Sequence, residues 1–425
     1  MKVLVVGGGG REHAICWKLS QSPRVTELLC APGNGGIAQV ARCIPDVKAT
    51  DLDGVLKLCR DEKVDFVVVA PDDPLALGMV DMLTREGIPA FGPTQSAARM
   101  ESSKIFSKNL MKKYGIPTAA YETFDDAQAA LDYVATAQTP IVIKADGLAL
   151  GKGVIIAKTN AEAADAVRSM MLEGAFKQSG KRVVIEEFMS GRECTVLCFC
   201  DEHAIVPMPS SQDHKRALDN DEGLNTGGMG AVAPTPFYDK ATAKRVYDEI
   251  LKPTLDAMNA EGLNFRGVLY AGLMLTSDGP KVVEYNARFG DPETQAVLPL
   301  LKTDLMDIFE AVSNGELEKV NIEWRDDASA ACVVLASGGY PVKYQSGYEI
   351  TGIDAAEKTG AKVFHAGTKQ DGDKLLTAGG RVLGVTALAD TLPDALKAAY
   401  AAAEKISFKD MHMRHDIGAN ALRKD

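Results

Sequence analysis

The first hundred or so residues of this chain alternate between two hydrophobic periods. Val3–Val6 and Phe66–Val69 are fully apolar runs of strand length, the pattern of parallel strands buried on both faces. Val25–Cys30 and Ile88–Phe91 read as two further strands. Between these runs the apolar spacing turns helical, over about Arg11–Leu19, Leu52–Asp61 and Leu75–Arg85. Repeated βα units predict a parallel doubly wound sheet, with its ligand at the C-terminal ends of the strands. Gly7–Gly10, Gly33-Asn34-Gly35 and Pro71-Asp72-Asp73-Pro74 fall at those ends.

From about Ser102 the pattern changes. A helix over Ser103–Tyr114 carries Lys104, and an extended linker starts at Ile116. A helix over Asp125–Ala135 leads to a strand at Ile141–Lys144, a glycine-rich loop at Ala145–Gly153 and a strand at Val154–Ile156. A helix over about Ala161–Leu172 precedes strands over Arg182–Glu187, 193–200 and 204–206. Ser210–Gly230 shows neither period and reads as a long functional loop. A helix over Ala241–Ala260 and strands over 267–275 and 281–286 close the middle region. Beyond about Trp324, Ser329–Leu335, Val363–Ala366, Lys374–Leu376 and Arg381–Ala387 predict short strands with glycine turns, followed by a helix over Leu392–Ile406. The predicted class is α/β, with an N-terminal doubly wound domain (1–102), a central domain (103–325) and a small β-rich C-terminal domain (326–425).

Length and composition narrow this further. A chain of 425 residues, 46% hydrophobic and 25% charged, suits several soluble domains. With 47 basic and 58 acidic residues the net charge is −11, and no basic block appears, so nucleic acid is not an expected partner. Anionic ligands would need cations concentrated in one site. No apolar run approaches the ~20 residues of a membrane span. Met1-Lys2 leads directly into the first strand with no secretory leader, so the cytoplasm, with free thiols, is the expected location. Cys194, Cys198 and Cys200 alternate along a strand with Val196 and lack C-x-x-C spacing, which predicts core packing rather than metal binding.

The densest chemistry lies at Glu284-Tyr285-Asn286-Ala287-Arg288. On a continued strand, Glu284, Asn286 and Arg288 would leave one face. Carboxylate and amide oxygens suit a hard divalent cation, and a guanidinium suits a phosphoryl group. The expectation is Mg²⁺ bridging ATP phosphates, with Arg288 on the transferring group. Upstream, Lys144 ends an apolar strand, and the loop carrying Gly151, Lys152 and Gly153 can fold over a triphosphate. It does not have the P-loop spacing. At Val183–Met189 a strand enters a polar bend. The backbone at Glu186 and Glu187 can pair with an adenine edge, Phe188 and Met189 can pack near the ring, and Glu193 can accept from ribose hydroxyls. The N-terminal glycine run lacks the third glycine of a dinucleotide fingerprint, with His13 at the sixth position from Gly8, and no acid ends the second strand. That argues against an NAD-dependent oxidoreductase and for a substrate phosphate on the amides of Gly8, Gly9 and Gly10.

The order Lys104, Lys144 with its glycine loop, Glu186-Glu187, Glu193 and Glu284-x-Asn286 resembles the ATP-grasp superfamily. Within it, Gly7–His13, Pro32-Gly33-Asn34, Lys144–Val154, Gln212–Arg216, Asn225–Gly230, Leu269–Met274, Glu284–Gln295, Phe364–Thr368 and Gly379–Leu383 resemble the phosphoribosylamine–glycine ligase (glycinamide ribonucleotide synthetase) family across nearly the whole chain. The resemblance implies a central ATP-grasp domain with a mobile subdomain over about 120–190. It implies ATP, glycine and 5-phosphoribosylamine as small-molecule substrates in de novo purine synthesis, joined through glycyl phosphate. Metal, Mg²⁺ or Mn²⁺, would sit on Glu284 and Asn286, phosphates on Lys104 and Lys144, and the transition-state charge on Arg288. Asp213, His214 and Lys215 would face phosphoribosylamine, with Asp213 on its amine or ribose. His214 would hydrogen-bond rather than act as a base, since a neutral amine is already nucleophilic. Thr226, Gly227 and Gly228 would approach glycine or the sugar, and Asn34 with Gly8–Gly10 the sugar phosphate. Closure of the glycine-rich loop would keep water from the acyl phosphate. Two positions depart from the family pattern: Gly267–Leu275 carries no carboxylate, and Ala70-Pro71-Asp72 stands where the family has Gly-Pro-Glu. The expected assembly is a monomer or weak homodimer. The alternatives are another ATP-grasp ligase or carboxylase of purine synthesis and a non-catalytic nucleotide-binding regulator. The second would be expected to lack Lys144, Glu284 or Asn286, and all three are present.

Overall fold

The computed structural model describes residues 1–148 and 153–423. Five parallel strands form the N-terminal sheet in the order Arg42–Cys43, Glu27–Pro32, Lys2–Gly7, Phe66–Val69, Ala90–Phe91. The strand order reverses beside Lys2–Gly7, so the crevice above that strand and Phe66–Val69 is the topological switch point. Gly7 turns the chain there at φ +127, where an added Cβ would come within 2.4 Å of Glu12. Glu12 Oε2 accepts the Gly9 N–H at 2.6 Å and caps the helix Gly10–Leu19. The helix expected over 75–85 is two pieces, Asp72–Ala76 and Met79–Arg85, because Gly78 adopts φ +84 between them.

The central region holds two antiparallel four-stranded sheets. One runs Tyr121–Phe124, Val183–Glu187, Ile141–Ala145, Val154–Ala157, and the other Ile205–Pro207, Arg192–Cys200, Gly267–Thr276, Gly279–Asn286. Arg192–Cys200 is buried on both faces. Cys194, Val196, Cys198 and Cys200 enter one apolar cluster, and Leu197 and Phe199 enter another. These cysteines are core residues, and all eight cysteines are free thiols.

Ser210–Gly230 corrects the sequence reading. It contains the strands Gln212–Asp213, Arg216–Leu218 and Glu222–Asn225, the last two paired as a hairpin. The hairpin is mostly exposed, so it satisfies its backbone by pairing without needing an apolar face. Gln212–Asp213 and Gly230–Ala233 then extend the third sheet, followed by Ser329–Ser337, Arg381–Ala389 and Lys362–His365. That sheet therefore draws strands from both sides of residue 326. Among the described residues no helix is long and apolar enough to cross a membrane.

Candidate active site

Four elements converge on one cleft of about 320 Å³. The helix Lys104–Tyr114 brings Lys104 and Lys108, Ile141–Ala145 brings Lys144, Val183–Glu187 brings Glu186, and Gly279–Asn286 brings Glu284 and Asn286. Ser103 caps the helix, its Oγ accepting the Phe106 N–H at 3.2 Å. The same hydroxyl donates to Asp146 Oδ1 at 3.0 Å, and the Ile105 N–H donates to that oxygen at 3.1 Å. Lys104 Nζ donates to Gly147 O at 3.1 Å. The start of the glycine-rich loop is thus tied to the helix end that carries Lys104. Gly151 and Lys152 lie outside the described residues; Gly153 O accepts the Ala145 N–H at 2.8 Å.

Glu186 is 3% exposed. Its Oε2 pairs with Lys144 Nζ at 2.9 Å and Lys108 Nζ at 3.2 Å. Its Oε1 is buried with no partner among the described residues. An unmatched buried acceptor costs about 1–3 kcal/mol, so this oxygen suits a donor from a bound molecule. Burial pulls the Lys108 ammonium down to about 8, with Glu186 opposing. Lys144 also donates to Val283 O at 2.9 Å. A bulge leaves Val283 out of the ladder with Gly267–Thr276, which frees that carbonyl. Burial pushes the Glu284 carboxyl up, but Lys215, Lys144, Lys104 and Arg288 outweigh it and hold it below the ordinary range. Glu284 is therefore ionised at neutral pH.

Arg288 departs from the expected single face. The strand stops at Asn286, so the two-residue alternation does not reach it. Its guanidinium instead pairs with Glu101 at 2.8 Å and donates to Phe289 O at 3.1 Å, and its Nε is buried without a partner among the described residues. Glu187, Phe188 and Met189, expected near an adenine ring, stand outside this cleft. The strand ends at Glu187 and the chain turns to solvent, leaving Phe188 42% exposed, and none of the three lines the cleft. Glu187 Oε1 accepts the Ala120 N–H at 3.1 Å.

A second polar group adjoins Glu284. Lys215 Nζ donates to Glu193 Oε1 at 2.8 Å, so the carboxylate expected at a ribose is engaged by a lysine. Burial pushes the Asp213 carboxyl up to about 8; Lys215 opposes this, and Glu293, Glu193 and Glu284 add to it. Burial likewise raises Glu293. Tyr270 OH accepts from Thr195 Oγ1 at 3.0 Å.

His214 is structural, not substrate-facing. Its Nε2 accepts the Gly418 N–H at 2.9 Å and its Nδ1 contacts Gly230 O at 3.3 Å, which leaves no ring nitrogen free. Burial pulls its pKa to about 4. Thr226 Oγ1 donates to Lys215 O at 2.9 Å and accepts the Gly228 N–H at 3.0 Å. Arg381 Nη1 holds Gly227 O at 2.6 Å and Gly228 O at 3.3 Å. Asn34 is corrected for the same reason as His214. Its Nδ2 donates to Gly8 O at 2.9 Å and His365 O at 2.8 Å, and its Oδ1 accepts from Gly36 and Ile37, both at 2.9 Å. That amide fastens loops and has nothing left for a phosphate. The Gly9 N–H is taken by Glu12, and a Cβ at Gly8 would lie 2.6 Å from Gly33 O, so Gly8 permits two turns to touch. Of the three glycine amides, Gly8 and Gly10 remain for an anion.

Among the described residues no cluster of three or more His, Cys, Asp or Glu is arranged to hold a metal. Glu284 and Asn286 supply an ionised carboxylate and an amide oxygen to one cleft. That donor set fits a hard divalent cation that keeps its other positions for phosphates and water.

The sequence reading left out Glu101, Lys108, Glu293 and Arg381. Lys108 could have been found from its place one turn past Lys104 on the same helix face. Glu293 lies inside a motif already singled out. Arg381 likewise lies inside the motif Gly379–Leu383, whereas Glu101 acts on a distant segment that no local pattern signals.

Models of the phosphoribosylglycinamide synthetase N domain, ATP-grasp (A) domain and C domain match residues 1–101, 102–294 and 330–420. A phosphoribosylamine–glycine ligase of Caldanaerobacter subterraneus is 48% identical over 419 residues, covering 99% of this chain and 100% of that protein. The trifunctional purine biosynthetic protein adenosine-3 of Gallus gallus is 48% identical over 423 residues, 99% of this chain and 42% of that protein. The crystal structure of phosphoribosylamine–glycine ligase from Thermotoga maritima superposes with a TM-score of 0.85 at 33% identity, covering 98% of this chain and 100% of that one. The biotin carboxylase domain of Hydrogenobacter thermophilus 2-oxoglutarate carboxylase shares the fold, with a TM-score of 0.73 at 14% identity over 97% of this chain and 91% of that one. Cleft, domain order and full-length similarity agree: the chain belongs to the phosphoribosylglycinamide synthetase family, whose central domain is an ATP-grasp domain.

Proposed function

We infer that this chain is an ATP-dependent ligase that joins glycine to 5-phosphoribosylamine, giving glycinamide ribonucleotide, ADP and phosphate. The observation that carries this reading is the meeting of Lys104, Lys144, Glu284 and Asn286 in one cleft of a chain that matches a phosphoribosylamine–glycine ligase over 100% of that protein. Lys104 and Lys144 hold the phosphates of ATP. Glu186 Oε1, buried and unmatched, suits the 6-amino group of adenine. Glu284 and Asn286 would hold Mg²⁺ or Mn²⁺, which when bound offsets repulsion among the phosphate oxygens. A glycine carboxylate oxygen attacks the γ-phosphorus, the bond to the bridging oxygen breaks, and ADP leaves. Arg288 meets the charge on the phosphoryl group in flight. The amine of phosphoribosylamine then attacks the glycyl carbonyl carbon, the bond to phosphate breaks, and phosphate departs. Asp213 accepts the amine's proton. A carboxyl raised to about 8 is a far stronger base than an ordinary aspartate and is matched to working near neutral pH.

The test uses glycine labelled with ¹⁸O in its carboxylate. Transfer of one label into inorganic phosphate, with ADP release that stops when either glycine or phosphoribosylamine is left out, is the expected result. Unlabelled phosphate, or steady ADP release without glycine, would sink the reading.

A further inference from the structure

Glu101 lies in the short helix Arg99–Ser102, where the N-terminal domain passes into the central one. It is 8% exposed and borders the nucleotide cleft. Both of its carboxylate oxygens reach the segment just beyond the strand Gly279–Asn286. Oε1 pairs with Arg288 Nη2 at 2.8 Å, and Oε2 accepts the Ala287 N–H at 2.9 Å. The ladder with Gly267–Thr276 ends at the pair Tyr270–Asn286, so the sheet does not fix residues 287 and 288. Arg288 has no other side-chain partner among the described residues. A free arginine side chain samples many rotamers, and a preorganised donor needs that freedom removed before the reaction.

We propose that Glu101 is a positioning residue: it anchors the backbone at Ala287 with one oxygen and aims the Arg288 guanidinium at the transferring phosphoryl group with the other. This rests on the role given to Arg288 above. A purely structural role is the competing explanation. A buried ion pair is weak evidence for stability, because desolvation offsets much of the attraction. Two contacts from one carboxylate, onto a catalytic arginine and onto the backbone N–H of the residue before it, therefore point to orientation rather than to holding the domains together.

The experiment is a double-mutant cycle on kcat and KM with Glu101→Gln, Arg288→Ala and the pair, run at enzyme concentrations that keep residual rates measurable. Thermal unfolding is followed for every variant. Glu101→Gln is expected to lower kcat by about tenfold to a hundredfold, the cost of a misplaced catalytic group, while KM for ATP stays within about twofold. In the Arg288→Ala background the same substitution should change kcat no further, since no guanidinium remains to be aimed. A parental rate for Glu101→Gln, or an equal loss in both backgrounds, would overturn the proposal. If Glu101→Gln does not fold, Glu101→Asp is taken through the same cycle and judged by the same two outcomes. Parental activity in Arg288→Ala would instead overturn the role of Arg288 itself, and this proposal with it.

Discussion

Two polar regions of this molecule are built from the same kinds of residue and end in opposite states. One is the cleft lined by Lys104, Lys144, Glu186 and Glu284. The other is the seam where the N-terminal domain meets the C-terminal sheet. In the seam the key polar atoms are paired within the protein. His13 Nδ1 accepts the His365 N–H at 2.7 Å, His365 Nδ1 meets Thr368 Oγ1 at 3.1 Å, and Asn34 spends its whole amide on backbone. The His13 ring stands edge-on to Phe364 at 5.6 Å. In the cleft polar groups are left over. Glu186 Oε1 and Arg288 Nε are buried without partners among the described residues, and Glu284 sits among four cationic groups. A closed polar network makes a rigid joint, whereas an open one at a cleft wall is prepared for a ligand. Motif residues occur in both, so a motif alone does not say which kind it belongs to.

The largest effect expected from breaking this contrast is at Glu284. Glu284→Ala should lower Mg²⁺-dependent ATP turnover by about a thousandfold, the upper range for losing one transition-state stabiliser, with an unchanged unfolding midpoint. A folded variant with parental turnover would remove Glu284 from the metal site. Arg288→Lys comes next, at about a hundredfold, because an ammonium cannot reproduce the forked contact. Near-parental rates there would argue against a planar requirement.

Asp213 sharpens the contrast through pH. With its carboxyl raised to about 8 by burial, its ionised fraction climbs as pH rises from 7 to 9. The rate of amide formation should climb with it, by about tenfold per unit below the inflection. Asp213→Asn should flatten that limb, and a profile with the same inflection would assign the titration elsewhere.

The seam should respond in stability and hardly in rate. Burial holds His365 at about 4, below its unfolded value near 6.5. Between those values the unfolded chain binds the extra proton, so stability falls as pH drops from 6.5 to 4, by about 3 kcal/mol. His365→Gln should remove its share of that slope in urea titrations, leaving the part due to the other buried histidines, while turnover at neutral pH changes by less than about twofold. A collapse of turnover with no change in slope would move His365 from joint to active site.

The sequence announced the fold wherever burial is two-sided. Val3–Val6, Phe66–Val69 and 196–200 are apolar on both faces, so their strands needed no context. Ser210–Gly230 was unreadable because its short ladders are mostly exposed and leave no hydrophobic period. The cleft was legible through Lys104, Lys144, Glu284 and Asn286, whose residue types match the chemistry of a triphosphate. Arg288 was misplaced because strand alternation was carried two residues past the strand end. Asn34 and His214 were read as ligands because their hydrogen-bond partners, His365 and Gly418, lie more than 200 residues away in the chain. Glu101 was invisible because its partners Ala287 and Arg288 lie far along the chain, beyond the last strand of the second central sheet.

The most direct test is a crystal structure with a non-hydrolysable ATP analogue, Mg²⁺ and glycine bound together. The ion is expected at about 2.1 Å from oxygens of both Glu284 and Asn286, the usual Mg²⁺–oxygen distance, with the terminal phosphate between Lys144 and Arg288. A triphosphate lodged away from those four side chains would contradict that placement.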